Sequence, residues 1–527
     1  MKYKVVSLLL LSSLALTGCS SSISLEFRPY KPFNYEGEAI TQNSIEVSSK
    51  AGLEGNIVKT IQDISYRHLN NRTLANSEGE FKMLVLPIYF DANANSPHHS
   101  WDKEKPKEEL TDEELTYIAR EEKYTIYLEN AFFGEAKMTD YESVASYYNK
   151  SSYGKLKITG EVAPWFGYSS KVSPTAKKSS AEDIVLAALS HAKTEMGKTY
   201  NQYDRDNDGY ADDVFVIYDY PYEKDNSSDT IFWAFTSSFG SNKGQAHGNA
   251  YSWASSEFMH PSGNRVETYT YIHETGHLLG LVDYYNTSTS DKTYQPTGMF
   301  DMMDSNLGDH SAFSKYSLNW VKPTVITDPG TYKLKSLTKG EQFFLIPKTD
   351  NWNETVYDEY LLIEYFIPEG LNDSSSFPNY KYYDKNGNEQ IFSYPTKYGV
   401  KVYHVDARLA YYTAGSAVIS GTKLCLIDDP QCESKIQNYD QLSVYYAYQN
   451  EGSKQEEILY HLLESSGDNT FLEGKGATNE TLFLMGDDFG YTKFLDFTFH
   501  DGSKCPFKFR IDMLTLSSAS ITFSQNN

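Results

Sequence analysis

Two histidines four residues apart, with a glutamate directly after the first, stand in the run His273-Glu274-Thr275-Gly276-His277. On a helix, positions i and i+4 share a face, so both imidazoles can reach one cation, and Glu274 can act as general base toward a metal-activated water. Past Gly280, Asp283 completes the pattern HExxHxxGxxD. A glycine at that place lets the chain turn sharply out of the helix and return the Asp283 carboxylate as a third ligand. Three protein ligands leave a fourth tetrahedral position open, which is what a catalytic zinc site requires. With 12 His among 527 residues, an HExxH is expected by chance roughly 0.02 times in such a chain. A thermolysin-like third ligand, a glutamate about twenty residues further on, is excluded, because the next glutamate after Glu274 is Glu341.

A second constellation lies upstream. Asp204, Asp206 and Asp208 occupy positions 1, 3 and 5 of a loop with Gly209 at position 6, the spacing that wraps oxygens around Ca²⁺. The backbone carbonyl of Tyr210 supplies position 7, and Asp212 or Asp213 closes the shell. Position 12 is Phe215, so an EF-hand is ruled out, and the loop runs instead into a strand. Five Asp in ten residues repel one another unless a cation is bound, so a structural Ca²⁺ is expected.

These residues need a scaffold. Phe81 to Phe90 reads as a buried first strand whose Pro87 suggests an edge or a bulge. Thr111 to Glu114 and Ser179 to Glu182 fit capping boxes, the second ahead of a helical run from Ile184 to Ala192. Val214 to Tyr218 reads as a buried strand. Beyond Pro323 the character turns to short β segments: Tyr332–Leu337, Phe343–Ile346, Tyr360–Ile367, Val400–Val405, Leu442–Tyr446, Phe507–Ile511 and Ile521–Phe523. The fold class is therefore α+β, with a catalytic domain over 80–325 and a β-rich, sandwich-like domain over 326–527. His98-His99 reads as an exposed polar loop, His404 as a satisfied core or edge residue, and His310 as a packing or capping residue.

Met1 to Leu16 combines a basic start with an apolar stretch shorter than the ~20 residues of a membrane-spanning helix. Leu16-Thr17-Gly18-Cys19 closes it and resembles a bacterial lipobox, so residues 1–18 read as a signal peptide and Cys19 as a lipidated amino terminus. Residues 19–79 read as a tether or pro-like segment. No cysteine lies between Cys19 and Cys425, so a thiolate from that segment cannot block zinc, although an acidic side chain could. Cys425 and Cys432 are the nearer pair for a disulfide, leaving Cys505 free, with other pairings open. A net charge of −24 argues against nucleic acid as a partner. No GxSxG, P-loop or GxGxxG context supports nucleophilic or nucleotide chemistry.

The segments HETGHLLGLVDYY, GMFDMMDSN and HSAFSKYSLNW together resemble the M6 family of metallopeptidases, the immune inhibitor A-like secreted proteases of the metzincin clan. The similarity extends to Val144–Leu156 and Asp204–Val216, covering roughly Phe81 to Pro323, and more weakly to Tyr398–Asp406. It implies a metzincin-like domain, zinc-dependent endopeptidase activity on proteins, and a Met-turn supplied by Met303 rather than Met302. Val282 departs from the proline that usually precedes the third ligand. The expected molecule is a lipid-anchored, extracytoplasmic zinc endopeptidase of the bacterial envelope acting on protein or peptide substrates. Two alternatives are a surface binding lipoprotein with a non-catalytic zinc site and a zinc hydrolase acting on cell-wall peptides.

Overall fold

The computed structural model describes 75–526 except 205–206, 208, 224–228, 240–249, 288–293, 339–341, 350–351, 385, 414–415, 428, 430, 437–441 and 451–457, together with three short strands at Ser24–Glu26, Ile45–Ser48 and Ile57–Val58. Residues 1–18, expected to be a signal peptide, and Cys19 lie outside the described residues. The chain forms two compact units, Asn70–Gly280 and a second made of Leu281–Asn527 with Met1–Leu69. The boundary thus falls at Gly280, whereas the change of sequence character falls at Pro323. The reason is that 281–323 packs within the β-rich unit: the Ala312 N–H donates to Glu364 (2.7 Å) and the Leu462 N–H to the Pro296 carbonyl (2.9 Å).

In the first unit, β1 (Gly79–Phe90), β2 (Leu156–Val162), β4 (Val214–Tyr218), β5 (Phe235–Ser238) and β6 (Ala250–Ser255) form a sheet in the order β2-β1-β4-β6-β5, and β3 (Phe166–Tyr168) continues the β2 side of β1. All pairings are parallel except β5 with β6. Strands buried on both faces need continuous apolar runs, which is why Val214–Tyr218 is buried throughout. Leu84, Leu86 and Ile88 of β1 pack with Ile184, Val185 and Leu189 of α3 (Ala181–Met196). On the opposite face, Phe132 of α1 (Asp112–Phe133) lies 4.8 Å from Phe215 and 5.3 Å from Tyr271, ring centre to centre.

Pro87 sits in a central strand, not at an edge. The Val85 carbonyl accepts from Ala163, so alternate residues of β1 aim their backbone groups at β2 and β3. Pairing with β2 ends at Val85 and pairing with β3 begins at Ile88, so Pro87 falls in the break, where no donor is needed. The capping box at Thr111 forms: Thr111 Oγ1 accepts from the Glu114 N–H (3.1 Å) and Glu114 accepts from the Thr111 N–H (2.7 Å). The second box does not. Helix α3 is preceded by a 3-10 turn over Lys178–Ser180, its cap is Ser180, and that hydroxyl donates backward to the Lys177 carbonyl (2.6 Å). His98 is buried rather than exposed, stacked on Tyr89 at 4.0 Å with Nε2 3.5 Å from Glu121.

The second unit carries α5 (Met302–Ser305), α6 (Ala312–Ser317) and two main sheets. One contains β7 (Thr324–Val325), β9 (Phe344–Pro347), β10 (Glu359–Phe366), β11 (Gly399–Asp406) and β14 (Tyr460–Leu463) in that order. The other runs β8 (Gly330–Lys335), β17 (Ser518–Gln525), β16 (Phe507–Leu514), β15 (Asp488–Phe489). Leu361, Ile363, Val400 and Val402 from the first share one core with Phe489, Phe509, Ile521 and Phe523 from the second, so the expected β-rich terminal region is present. A smaller sheet pairs β12 (Leu409–Thr413) with β13 (Leu442–Tyr446). The Cys425–Cys432 disulfide is formed, and Cys505 is a buried free thiol.

Candidate metal centre

The HExxH residues lie on α4 (Tyr269–Leu278). The helix is fixed by hydroxyls rather than by a side-chain cap. Tyr148 donates to the Ile272 carbonyl (2.7 Å), Tyr271 to the Ser255 carbonyl (2.9 Å), and Thr268 to the Glu142 carbonyl (2.5 Å). Each bond satisfies a carbonyl that burial would otherwise leave costly. The helix ends where the Leu279 N–H bonds to Thr275 and Gly280 takes φ +98°, a left-handed turn that side chains resist.

His273, His277 and Asp283 each offer one ligand atom, and these atoms all lie within 4.8 Å of one another. The rings of His273 and His277 are 4.8 Å apart and nearly perpendicular, at 85°. All three expected zinc ligands are therefore brought together, with His273 and Asp283 buried and His277 partly open. Two imidazoles and a carboxylate are the donor set of a borderline divalent cation with a vacant position.

Glu274 is buried between the ligands in sequence but held from the sheet. Thr236 on β5 donates its hydroxyl to Glu274 Oε2 (3.0 Å) and lies 3.1 Å from the Glu274 carbonyl, which also accepts from Ser252 on β6 (3.1 Å). Thr236 and Ser252 face each other across the antiparallel pair, hydroxyls 2.7 Å apart. The sequence offered no sign of this, because a threonine in a strand is ordinary. Burial, together with the Glu274 charge, pushes the Tyr148 phenol well above its usual range.

Within the second unit, the Tyr284 N–H, next to Asp283, donates to the Met303 carbonyl (2.8 Å). Asn450 Nδ2 then holds the Tyr284 carbonyl (2.7 Å). Met303 is fully buried at the start of α5, its N–H accepted by Asp301 Oδ1 (2.9 Å). The expected Met-turn residue is thus tied directly to the chain that carries Asp283. Burial pushes Asp301 up to about 7, against the opposing pull of the Met303 N–H. Burial also raises the Tyr445 phenol, with the Asp283 charge among its causes. His310 is buried 5.9 Å from Trp320, consistent with a packing role.

On the acidic loop, Asp206 and Asp208 lie outside the described residues. Asp204 Oδ2 accepts from the Gly209 N–H (3.0 Å), while its Oδ1 is buried with no hydrogen-bond partner among the described residues. Asp212 and Asp213 are almost fully buried, at 1% and 2% exposure, just ahead of β4, and Tyr210 is half-buried. The Leu84 N–H donates to the Asp213 carbonyl (2.9 Å), anchoring the loop to β1. Among the described residues no helix is long and apolar enough to cross a membrane. The chain has no match among protein-family models or curated proteins.

Proposed function

We propose that the chain is an M6-like, metzincin-type zinc endopeptidase, tethered through a lipid on Cys19 to a membrane of the bacterial cell envelope, on its extracytoplasmic side. The observation that carries this reading is the convergence of His273, His277 and Asp283 beside a buried Glu274 that Thr236 orients. Zn²⁺ held by those three residues would supply Lewis-acid polarisation of the scissile carbonyl and a more acidic water. The chain does the rest. Glu274 accepts the proton of the attacking water and returns it to the leaving amine, with the Thr236 hydroxyl fixing its carboxylate in place. Tyr148, Ser252 and the Gly280 turn keep the ligand helix from drifting, since misplacement by an ångström costs large factors in rate. The Asp204–Asp213 loop is read as a structural Ca²⁺ site, because carboxylates this buried require a compensating charge.

The test is casein cleavage by membrane and soluble fractions, with wild type, Glu274→Ala and Cys19→Ser. Wild-type activity should stay with membranes and vanish with a zinc chelator. Glu274→Ala should lose about 10²–10⁴-fold in rate with its zinc content kept. Cys19→Ser should release full activity into the soluble fraction. Undiminished cleavage by Glu274→Ala would sink the mechanism, and retention of Cys19→Ser on membranes would sink the anchor.

A further inference from the structure

Far along the chain from HExxH, a second set of donors converges inside the β-rich unit. Glu359 begins β10, His404 lies in β11, and His500 comes from the turn that the Phe499 N–H closes onto Ser503. One ligand atom from each lies within 4.8 Å of the others. Glu359 pairs with Asp406 across the two strands, and His404 pairs with Leu361, so Glu359, His404 and Asp406 all project from the sheet face that carries the apolar core. Their placement at the end of a phenylalanine-rich core is costly for ionised groups unless something compensates them.

The compensation is divided by atom. Glu359 Oε2 faces cations, 3.1 Å from Lys348 and 3.5 Å from Arg408, while Oε1 faces imidazoles, 3.0 Å from His404 Nε2 and 3.8 Å from His500 Nδ1. Asp406 is held by Arg408 through both oxygens, Nε at 2.8 Å from Oδ1 and Nη2 at 2.6 Å from Oδ2, and Oδ2 also meets His500 Nδ1 at 2.6 Å. Ligands around a tetrahedral zinc, with bonds of ~2.0–2.1 Å, sit ~3.3 Å apart, and the separations of 3.0 and 3.8 Å bracket that figure. Two nitrogens and a single carboxylate oxygen suit zinc and do not suit Ca²⁺, which takes six to eight oxygens. His461, buried and directly opposite His404 in the sheet, is kept neutral: burial first, then the neighbouring His404 and His500, drop it to about 3.

We propose that Glu359, His404 and His500, with Asp406 adjoining, form a second, structural zinc site that clamps the 499–503 turn onto the inner face of the β-rich unit. The proposal does not depend on the peptidase reading. Zinc would take the place of the His404–Glu359 and His500–Asp406 hydrogen bonds, and Arg408 and Lys348 would keep the carboxylates ionised for it.

The experiment counts zinc by plasma mass spectrometry in the full-length protein after dialysis against saturating Ca²⁺, alongside His273→Ala and His500→Gln. Wild type should hold two zinc per chain, and each variant one, with His500→Gln losing thermal stability that added zinc does not restore. One zinc in wild type, lost in His273→Ala and kept in His500→Gln, would overturn the proposal. One zinc lost only in His500→Gln would support it while counting against the peptidase centre. Should His500→Gln fail to fold, anomalous scattering at the zinc edge from unmutated crystals decides: a peak between Glu359, His404 and His500 is expected, and its absence after zinc soaking would refute the site.

Discussion

Hydroxyls of the sheet hold Glu274, Thr236 at its carboxylate and Ser252 at its carbonyl. Thr236 reaches that carboxylate across 38 positions of sequence, from the edge strand β5. Replacing Thr236 by valine keeps the shape and removes the donor. A hydrogen bond to a charged group is worth about 1.5–3 kcal/mol, so kcat/KM should fall roughly 10–100-fold while zinc content stays the same. Because the hydroxyl favours the ionised carboxylate, its loss should also move the acid limb of the pH–rate profile upward. An unchanged rate and profile would show that Thr236 merely packs. The candidate metal ligands could be read from sequence because their spacing is local, whereas Thr236 could not, because nothing near it in the chain signals its partner.

Elements set the second group of constraints. Helix α5 is only one turn long, and Asp301 both caps it and holds the Met303 N–H. Asp301 sits at about 7 in the folded protein against an ordinary 3.8, so the native state binds a proton that the unfolded state releases. Its contribution to stability is therefore whole below about pH 4 and is lost as pH rises toward 7, a span worth on the order of 4 kcal/mol. Asp301→Asn keeps the acceptor and abolishes the titration. Chemical denaturation should find the variant gaining on wild type between pH 4 and 7, then holding a constant lead; a pH-independent difference would refute the assignment. Sequence patterns located seven strands of the β-rich unit to within three residues but missed others, among them Tyr380–Tyr383, Leu409–Thr413 and Tyr460–Leu463, whose apolar residues are interspersed with polar and aromatic ones. The capping box at Thr111 formed because its helix starts where the box does. At Ser179 a 3-10 turn displaced the helix start by a residue or two, and the reciprocal bonds were lost.

At the scale of the whole molecule, the proposed Ca²⁺ loop would give part of the excess of acid an ion-binding role. Saturating CaCl₂ should raise the melting temperature of the zinc-loaded protein, since a ligand present at a hundred times its Kd adds about 2.7 kcal/mol to the folded state. In a chain of two units the rise should be confined to one transition, and Asp212→Asn with Asp213→Asn should remove it. A melting curve indifferent to Ca²⁺ would leave the buried carboxylates of that loop serving the fold alone. Gly280, with its left-handed φ of +98°, follows the end of the α4 helix and is the last residue of the first compact unit.

HExxHxxGxxD by itself singled out His273, His277 and Asp283 as candidate metal ligands, with Glu274 beside them and Gly280 as the turn, because helical periodicity and one glycine position all of them within eleven residues. What only the tertiary structure decided are pairings between distant positions: Thr236 with Glu274, His404 with Glu359 across 45 residues, and His500 with Glu359 across 141. Such contacts depend on strand order and register, which bring side chains together through sheet geometry rather than through any spacing the chain itself displays.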